Sequence, residues 1–360
     1  MADRIVVLKV GSSSVTTAGG QADEALLASL SAQVAAVRER GCRVVVVTSG
    51  AVATGLAALG IDRRPTEIAV LQAAASVGQH RVVRSWQDGL AAHGLLAGQV
   101  LLDPADFFSR RQYLLAGRTF AALLDLGAVP IVNENDAVAD QELRFGDNDR
   151  LAALVAVLVS ADRLVMLTDT PGLFTADPAQ RADATLIDEV TEIDQVLEAA
   201  AGGSSSAVGT GGMASKLAAA RLATWSGIET VIADARDEGV VVRLEAGAPT
   251  ESTVFRARHR PLAARKAWLA FATVPRGHLA VDAGAHAALR DGASLLLAGV
   301  RAHDGEFTAG DAVEVACDGS LIAKGLTRLG AADVAGLLGE GRAPRDVVVV
   351  HRDDLVVLPS

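Results

Sequence analysis

The chain has few of the residues that build covalent cross-links or metal cages. Its 360 residues include only two cysteines, Cys42 and Cys317, which lie far apart in the sequence. A disulfide framework or a cysteine-rich zinc site would need more cysteines at closer spacing. The seven histidines are scattered along the chain. The sequence therefore predicts neither disulfides nor a dedicated metal site built from His and Cys.

Long apolar runs and an excess of positive charge are also missing. No apolar segment reaches the length of about 20 residues that a membrane span requires. Asp3 and Arg4 precede the first apolar run, so no signal peptide is expected. The formal net charge is −10 at pH 7, the opposite sign to that of most nucleic-acid-binding proteins. We therefore expect a cytoplasmic protein that binds neither membranes nor nucleic acids.

A glycine-rich loop that ends in a lysine is the most informative motif. Residues 209–216 read GTGGMASK. Glycines let backbone N–H groups converge on an anion, and Lys216 adds a positive charge, so the loop indicates a phosphate site. It is not a P-loop, because the spacing G-x-x-x-x-G-K-[ST] fails: no glycine directly precedes Lys216, and Leu217 replaces the hydroxyl residue after it. A flexible Gly/Ser linker is the alternative explanation for this segment.

Several apolar, strand-like runs end in polar turns. Lys9 lies near the end of the first run, where a buried ammonium would need an anion, although a lysine on an edge strand could also reach solvent. The turns that follow the runs hold Gly11, Thr48 to Gly50, and Thr168 with Asp169. Strands that alternate with helices predict an open, mostly parallel α/β sheet whose ligand site lies beyond the carboxyl ends of the strands.

The periodicity of apolar residues predicts the individual elements. The predicted strands lie near residues 4–10, 43–48, 95–101, 129–133, 163–168 and 230–233. The predicted helices lie near residues 22–40, 68–93, 113–126, 148–160, 191–200 and 214–226.

The densest polar cluster lies in two segments, 133–137 and 145–150. The first reads NENDA and follows an apolar run, and the second holds Asp147, Asn148 and Asp149 before a very apolar helix. Helix capping explains one of these residues but not all of them. Carboxylates and amides together suit a ligand that carries both an ammonium and a carboxylate, such as an amino acid.

These motifs, in their order along the whole chain, resemble the amino acid kinase family, and within it the members that phosphorylate glutamate. The segments that carry the resemblance are LKVGSS (8–13), VTSGAVA (47–53), VGQHR (77–81), NENDAV (133–138), GDND (146–149), LTDTPGLFTADP (167–178), GTGGMASK (209–216) and VDAGA (281–285). Relatives that act on aspartate, N-acetylglutamate, carbamate or uridylate share the motif LTD…GLFTADP (167–178) and the terminal K-x-G. NENDAV, GDND and the C-terminal extension distinguish the glutamate-phosphorylating members.

The resemblance implies a reaction and its residues. The reaction would be ATP-dependent phosphorylation of the γ-carboxylate of L-glutamate to L-glutamyl 5-phosphate, the first step of proline biosynthesis, with ATP bound as its Mg²⁺ complex. The implied catalytic residues are Lys9, Lys216 and Asp149, of which Asp149 would orient the two lysines. The implied substrate contacts are Ser49, Asp136, Asn148 and Asp147, where Asp147 would meet either the substrate ammonium or the metal. The implied nucleotide contacts are Lys9, Gly11, Thr168, Asp169, Thr210, Gly211, Gly212, Met213 and Lys216, with the N–H groups of Gly11 and of residues 209–212 as donors to phosphate.

The composition changes after Phe255. A basic stretch that contains Pro261 reads as a linker, and the short β-like runs beyond it resemble a PUA domain, a module often found in RNA-modifying enzymes. The β-like runs lie at 279–281, 294–297, 312–316 and 346–350. We therefore expect an amino acid kinase domain at 1–258, a linker at 259–274 and a β-rich PUA-like domain at 275–360. Residues 275–360 carry eight Lys and Arg against twelve Asp and Glu, which argues against RNA binding.

The resemblance also implies proline as a feedback inhibitor, a homo-oligomer, and an association with glutamyl-5-phosphate reductase. Three alternatives stay open at this point: a kinase for another acidic amino acid, an amino acid sensor without catalysis, and an RNA-associated protein built around the C-terminal module. The presence of Lys9, Lys216 and Asp149 together argues against the sensor.

Overall fold

The chain folds into two compact units, Met1–Pro261 and Leu262–Ser360, in a computed structural model. The structure describes residues 4–103, 106–107, 109–138, 148–178, 180–193, 197, 212–259, 261–262, 266, 269–270, 273, 275–339 and 346–358.

The first unit is built on an eight-stranded sheet in the order β3-β4-β2-β1-β5-β7-β8-β6. All neighbouring strands are parallel except β7 and β8. The strands are β1 (Arg4–Val10), β2 (Cys42–Val47), β3 (Ala97–Leu102), β4 (Val129–Glu134), β5 (Arg163–Thr168), β6 (Glu189–Val190), β7 (Glu229–Asp234) and β8 (Ser252–Phe255). The central strands are continuous apolar runs because they are buried on both faces.

Helices connect and flank these strands. They are α1 (Ser12–Val15), α2 (Glu24–Glu39), α3 (Ala51–Ala58), α4 (Ile68–Ala91), α5 (Arg110–Asp125), α6 (Asn148–Leu158), α7 (Met213–Trp225) and α8 (Val240–Glu245). Helix α6 is buried from its first residue to Val157 except at the half-buried Arg150, and it packs against β1 and α7, which explains its largely apolar sequence. None of the helices in the described part of the chain is long and apolar enough to cross a membrane.

Helices α3 and α4 meet backbone to backbone. A Cβ atom at Gly78 would lie 1.9 Å from the carbonyl oxygen of Ala51 and 2.6 Å from the nitrogen of Gly55. A Cβ atom at Gly55 would lie 1.7 Å from the carbonyl oxygen of Ala74. Only glycine fits at these two positions, since no other residue lets two helix backbones approach so closely. The two glycines therefore set the position of α4 relative to the loop between β2 and α3.

The second unit has its own six-stranded sheet, in the order β10-β14-β13-β12-β9-β11, and its own apolar core. Its neighbouring strands are antiparallel except β9 and β12. The strands are β9 (Gly277–Val281), β10 (Leu295–Leu296), β11 (Val300–Gly305), β12 (Ala312–Cys317), β13 (Ser320–Thr327) and β14 (Val348–Val357). The helices α9 (Ala283–Arg290) and α10 (Ala331–Gly339) accompany the sheet in the described residues.

The fold class predicted from the sequence is confirmed: a mostly parallel sheet flanked by helices, followed by a β-rich module. The six predicted strands of the first unit correspond to β1 to β5 and β7, with small shifts at their ends. The helix predicted at 191–200 falls largely outside the described residues. The predicted boundaries of the domains and of the linker at 259–274 stay predictions, because much of that linker also lies outside the described residues.

Candidate active site

Two lysines and one aspartate form a buried ion cluster at the centre of the first unit. The Lys9 ammonium lies 2.5 Å from Oδ1 of Asp149, and the Lys216 ammonium lies 3.2 Å from Oδ2 of the same carboxylate. Relative exposure is 3% for Lys9, 0% for Asp149 and 6% for Lys216. Lys9 is the second-last residue of the central strand β1. Asp149 lies at the start of α6, and Lys216 lies in the first turn of α7.

The charges of this cluster determine the ionisation state of Asp149. Burial by itself would raise the pKa of the carboxyl group, but the ammonium groups of Lys9 and Lys216 hold that pKa below its ordinary value. Asp149 is therefore an anion at neutral pH. Two ammonium groups then share a single carboxylate, which leaves a net positive charge and donor groups that can take a further anion.

A chain of amide hydrogen bonds begins at Asn148, the residue before Asp149. The side-chain nitrogen of Asn148 lies 2.6 Å from the carbonyl oxygen of Thr48, 2.9 Å from the hydroxyl of Ser49 and 2.7 Å from the side-chain oxygen of Asn133. These residues come from the carboxyl ends of the neighbouring strands β2 and β4 and from α6. Ser49 and Asn148, both of which the resemblance implies as substrate contacts, therefore lie within hydrogen-bond distance of each other.

Helix α4 contacts this series of hydrogen bonds through two of its side chains. The side-chain oxygen of Gln79 accepts a hydrogen bond of 2.6 Å from Nδ2 of Asn133, and the indole nitrogen of Trp86 donates one of 3.0 Å to the hydroxyl of Thr48. Gln79 and Trp86 are seven residues apart, so they lie on one face of the helix. Neither was assigned a role from the sequence, although Gln79 lies within the VGQHR segment. A polar residue on the buried face of an amphipathic helix was the available signal.

A cavity of about 280 Å³ opens beside Gln79. Its wall includes Glu134, Asn135 and Asp136 at the end of β4, together with Ser76 and Gln79 of α4. Glu134 is buried, whereas Asp136 is half-buried. The predicted substrate residue Asp136 therefore lines a cavity that Gln79 and Asn133 connect to Asn148.

The predicted nucleotide residues lie at the ends of β1, β5 and α7. Thr168 is buried at the end of β5, and its hydroxyl donates to the Asp169 carboxylate at 3.1 Å. Gly212 is the N-cap of α7 and Met213 its first residue, so the N–H groups of this helix end point away from the helix beside Lys216. Thr210, Gly211 and the substrate residue Asp147 lie outside the described residues.

One expected donor is already engaged. The N–H of Gly11 donates to the carbonyl oxygen of Leu167 at 3.2 Å, because the ladder between β1 and β5 continues by one residue beyond β1. The expectation that this N–H also binds phosphate stays a prediction. Gly11 still lies beside the cluster, since a Cβ at this position would be 3.6 Å from the Lys9 ammonium.

Metal ligands do not gather anywhere in the described part of the chain: no group of three or more His, Cys, Asp and Glu side chains there is arranged to hold an ion. Asp149 is occupied by its two lysines. The donor set at this site thus suits an anion.

Comparisons with known proteins cover both units. The sequence profile of the amino acid kinase family matches residues 4–234, and that of the PUA domain matches residues 277–353. The chain is 43% identical to a glutamate 5-kinase of Marinomonas sp. over 98% of its own length and 97% of the relative. It is 44% identical, with the same coverage, to glutamate 5-kinases of Pseudomonas putida and Burkholderia vietnamiensis.

Proposed function

The chain belongs to the amino acid kinase family, and on this premise we propose that it transfers the γ-phosphoryl group of ATP to the γ-carboxylate of L-glutamate. The product is L-glutamyl 5-phosphate, and the reaction is the first step of proline biosynthesis. The single structural observation that carries the phosphoryl transfer is the pair of buried lysines on one carboxylate. The glutamate 5-kinases that are 43% and 44% identical over almost the whole chain support glutamate as the acceptor.

The reaction needs no general base. The γ-carboxylate of free glutamate has a pKa of about 4.3, so it is already an anion at neutral pH. One of its oxygens attacks the γ-phosphorus, and an O–P bond forms while the bond from phosphorus to the β,γ-bridging oxygen breaks. ADP leaves with that electron pair. Catalysis therefore consists of bringing two anions together in line and stabilising the charge that spreads over the transferring group.

Lys9 and Lys216 supply this stabilisation. Their ammonium groups are buried, so they act on phosphate oxygens with little screening by water, and they are held in place before the substrates arrive. Asp149 orients both lysines through its two carboxylate oxygens, and the pairing offsets the cost of burying these charges. The N-terminal end of α7 adds backbone donors next to Lys216.

The nucleotide and the amino acid approach the cluster from different elements. For the nucleotide we assign Lys9, Lys216, Thr168, Asp169, Gly212 and Met213, together with Gly11, Thr210 and Gly211. For glutamate we assign Ser49, Asn148 and Asp136, with Asp147 as a further contact. Magnesium enters as the ATP complex, held by phosphate oxygens, since Mg²⁺ in such sites keeps most of its ligands from phosphate and water.

The family resemblance extends the proposal to regulation and assembly. We propose that proline inhibits the enzyme by feedback, that the enzyme is a cytoplasmic homo-oligomer, and that glutamyl-5-phosphate reductase takes up its product. An acyl phosphate hydrolyses readily, so a reductase close by would limit its loss.

The test is ATP turnover with L-glutamate, N-acetylglutamate and L-aspartate, each with hydroxylamine to trap the acyl phosphate as a hydroxamate. We expect hydroxamate with glutamate at a specificity constant well above those for the other two acids. A preference for N-acetylglutamate or aspartate would assign the chain to another acidic amino acid. ADP formation without hydroxamate from any of them would contradict phosphorylation of a carboxylate.

A further inference from the structure

Gln79 carries a buried hydrogen-bond donor with no acceptor among the described residues. Its side-chain oxygen accepts from Asn133, but its side-chain nitrogen is buried and has no hydrogen-bond partner among the residues that the structure describes. Leaving a buried donor unpaired destabilises a protein, so such groups are rare and often mark a functional site. The unpaired N–H group of Gln79 therefore indicates a binding site for a hydrogen-bond acceptor on a ligand.

The orientation of the Gln79 amide follows from its neighbours. The carbonyl oxygen of Thr48 can only accept, so Asn148 must present its nitrogen there. Asn133 must then present its oxygen to Asn148 and its nitrogen to Gln79, which are the contacts seen at 2.7 Å and 2.6 Å. Gln79 must in turn present its oxygen to Asn133. The side-chain nitrogen of Gln79 therefore points away from Asn133 and takes no part in this series of amide hydrogen bonds.

The helix that carries Gln79 cannot move to relieve the unpaired donor. The neighbouring Gly78 packs directly on the backbone of α3, and about two turns further along α4 the Trp86 indole donates a hydrogen bond to Thr48. Both contacts hold α4 against the loop after β2. The amide of Gln79 is therefore placed by the fold, as a preorganised binding group requires.

The cavity beside Gln79 has the complementary charges of an amino acid head group. Glu134 and Asp136 in its wall attract an ammonium, and the amide nitrogen of Gln79 is suited to a carboxylate. The γ-carboxylate of the substrate must reach Lys9 and Lys216. Gln79 stands at the other end of the amide chain, two hydrogen bonds away from Asn148.

We infer that the side-chain nitrogen of Gln79 donates a hydrogen bond to the α-carboxylate of the acceptor amino acid, which makes Gln79 a specificity-determining residue. This inference rests on the proposed phosphorylation of glutamate. The same side chain positions Asn133 through its oxygen. A test must therefore separate contact with the substrate from positioning.

The first test compares glutamate with 4-aminobutyrate, which is glutamate without its α-carboxylate, in the full-length protein and in Gln79→Leu. Contact with the α-carboxylate predicts that kcat/KM for glutamate falls by roughly tenfold to a hundredfold, the usual effect of losing a hydrogen bond to a charged group. For 4-aminobutyrate, kcat/KM, or its inhibition constant against glutamate, should stay within about twofold, because the lost donor has no partner in that ligand.

Gln79→Glu provides a second, nearly isosteric test. A carboxylate still accepts from Asn133 but presents an acceptor in place of the donor. KM for glutamate should rise about as much as in Gln79→Leu, while KM for ATP stays unchanged. If 4-aminobutyrate binds too weakly to measure, KM for glutamate in Gln79→Glu by itself tests whether Gln79 contacts the α-carboxylate. The matched control is Gln72→Leu, the same substitution two turns earlier on α4, which should leave both KM values unchanged.

Two outcomes would overturn the inference. Equal losses of kcat/KM for glutamate and 4-aminobutyrate in Gln79→Leu would show positioning alone, as would a normal KM for glutamate in Gln79→Glu. A full-length protein that forms no hydroxamate from glutamate would instead overturn the proposed function, so the two failures are distinguishable.

Discussion

The Lys9 ammonium lies 2.5 Å from Oδ1 of Asp149, and the side chains of these two residues are only 4% and 0% exposed. Lys216 approaches the other oxygen of the same carboxylate at 3.2 Å. The fold thus buries two positive charges against one negative charge. Such an arrangement is stable only because the ion pairs are well formed, and it favours the binding of another anion.

We expect Lys9→Met and Lys216→Met each to lower kcat by at least about a hundredfold, or roughly 2.7 kcal/mol of transition-state stabilisation. KM for glutamate should change much less, since the lysines act on charge that develops during transfer. Steady-state kinetics of the purified variants provide the measurement, with Lys266→Met as the control. A variant with near-normal kcat would remove that lysine from the mechanism.

For Asp149→Asn we expect a large loss of kcat together with a stronger response to phosphate. Without the carboxylate, two buried ammonium groups repel each other and gain more from a bound anion. Thermal unfolding with increasing inorganic phosphate should therefore show a larger rise in Tm for the variant than for the unmodified protein. Equal responses in both proteins would argue that phosphate binds elsewhere.

Glutamate should be strongly preferred to N-acetylglutamate. Acetylation removes the ammonium, so the carboxylates proposed to face it, Asp136 and Asp147, would lose that favourable interaction. Comparison of kcat/KM for the two acids measures the preference, and Asp136→Asn should narrow it. Similar values for both acids in the unmodified protein would favour an N-acetylglutamate kinase.

The first unit should fold and phosphorylate glutamate without the second. Every residue assigned to the chemistry lies at or before Lys216, and the first compact unit ends at Pro261. The truncation is best made after Pro261, because Leu269 and Ala270 pack with Val356 in the core of the second unit. Circular dichroism and hydroxamate formation by residues 1–261 test this expectation. A folded but inactive truncate would mean that the second unit completes the site.

Arg163 should contribute strongly to stability. Its guanidinium lies 2.6 Å from Glu229 and 2.8 Å from Glu245, whose side chain is only 1% exposed, and it keeps the pKa of Glu229 low despite the opposing effect of burial. Arg163→Met would leave Glu245 with far less compensation, so we expect a loss of about 2–4 kcal/mol in the free energy of unfolding.

Urea denaturation measures this loss against Arg181→Met as a control. Arg181 pairs with Asp183 in solvent, where both side chains are more than half exposed, so its replacement should have almost no effect. A comparable loss in both variants would show that burial of the Arg163 pair is not what matters.

The central sheet could be predicted because parallel strands buried on both faces are continuous runs of Val, Ile and Leu. Strand β8 could not, since it has only four residues and pairs antiparallel with β7 beyond the parallel part of the sheet. Strands β11 and β13 of the second unit also escaped prediction. Their residues alternate between exposed and buried positions in part only, which gives a weak periodic signal.

The residue patterns by themselves indicate the parts of the candidate site but not its connections, and the pairing of Asp149 with both lysines was expected only from the family resemblance. A lysine at a strand end and a lysine after glycines both indicate phosphate, yet their sharing of Asp149 depends on how α6 and α7 pack beside β1. The role of Gln79 in holding Asn133 was hidden for the same reason. A polar residue on a helix shows its partner only when another element is placed against it.

The close backbone contact between α3 and α4 couples the movements of these two helices. Side chains at a helix interface usually absorb small displacements by changing rotamer, but Gly55 and Gly78 have none to change. A displacement of either helix therefore moves the other helix as well. Because α3 and α4 move together, a ligand at Ser49 that displaces the loop before α3 would also shift the part of the cavity wall that α4 forms.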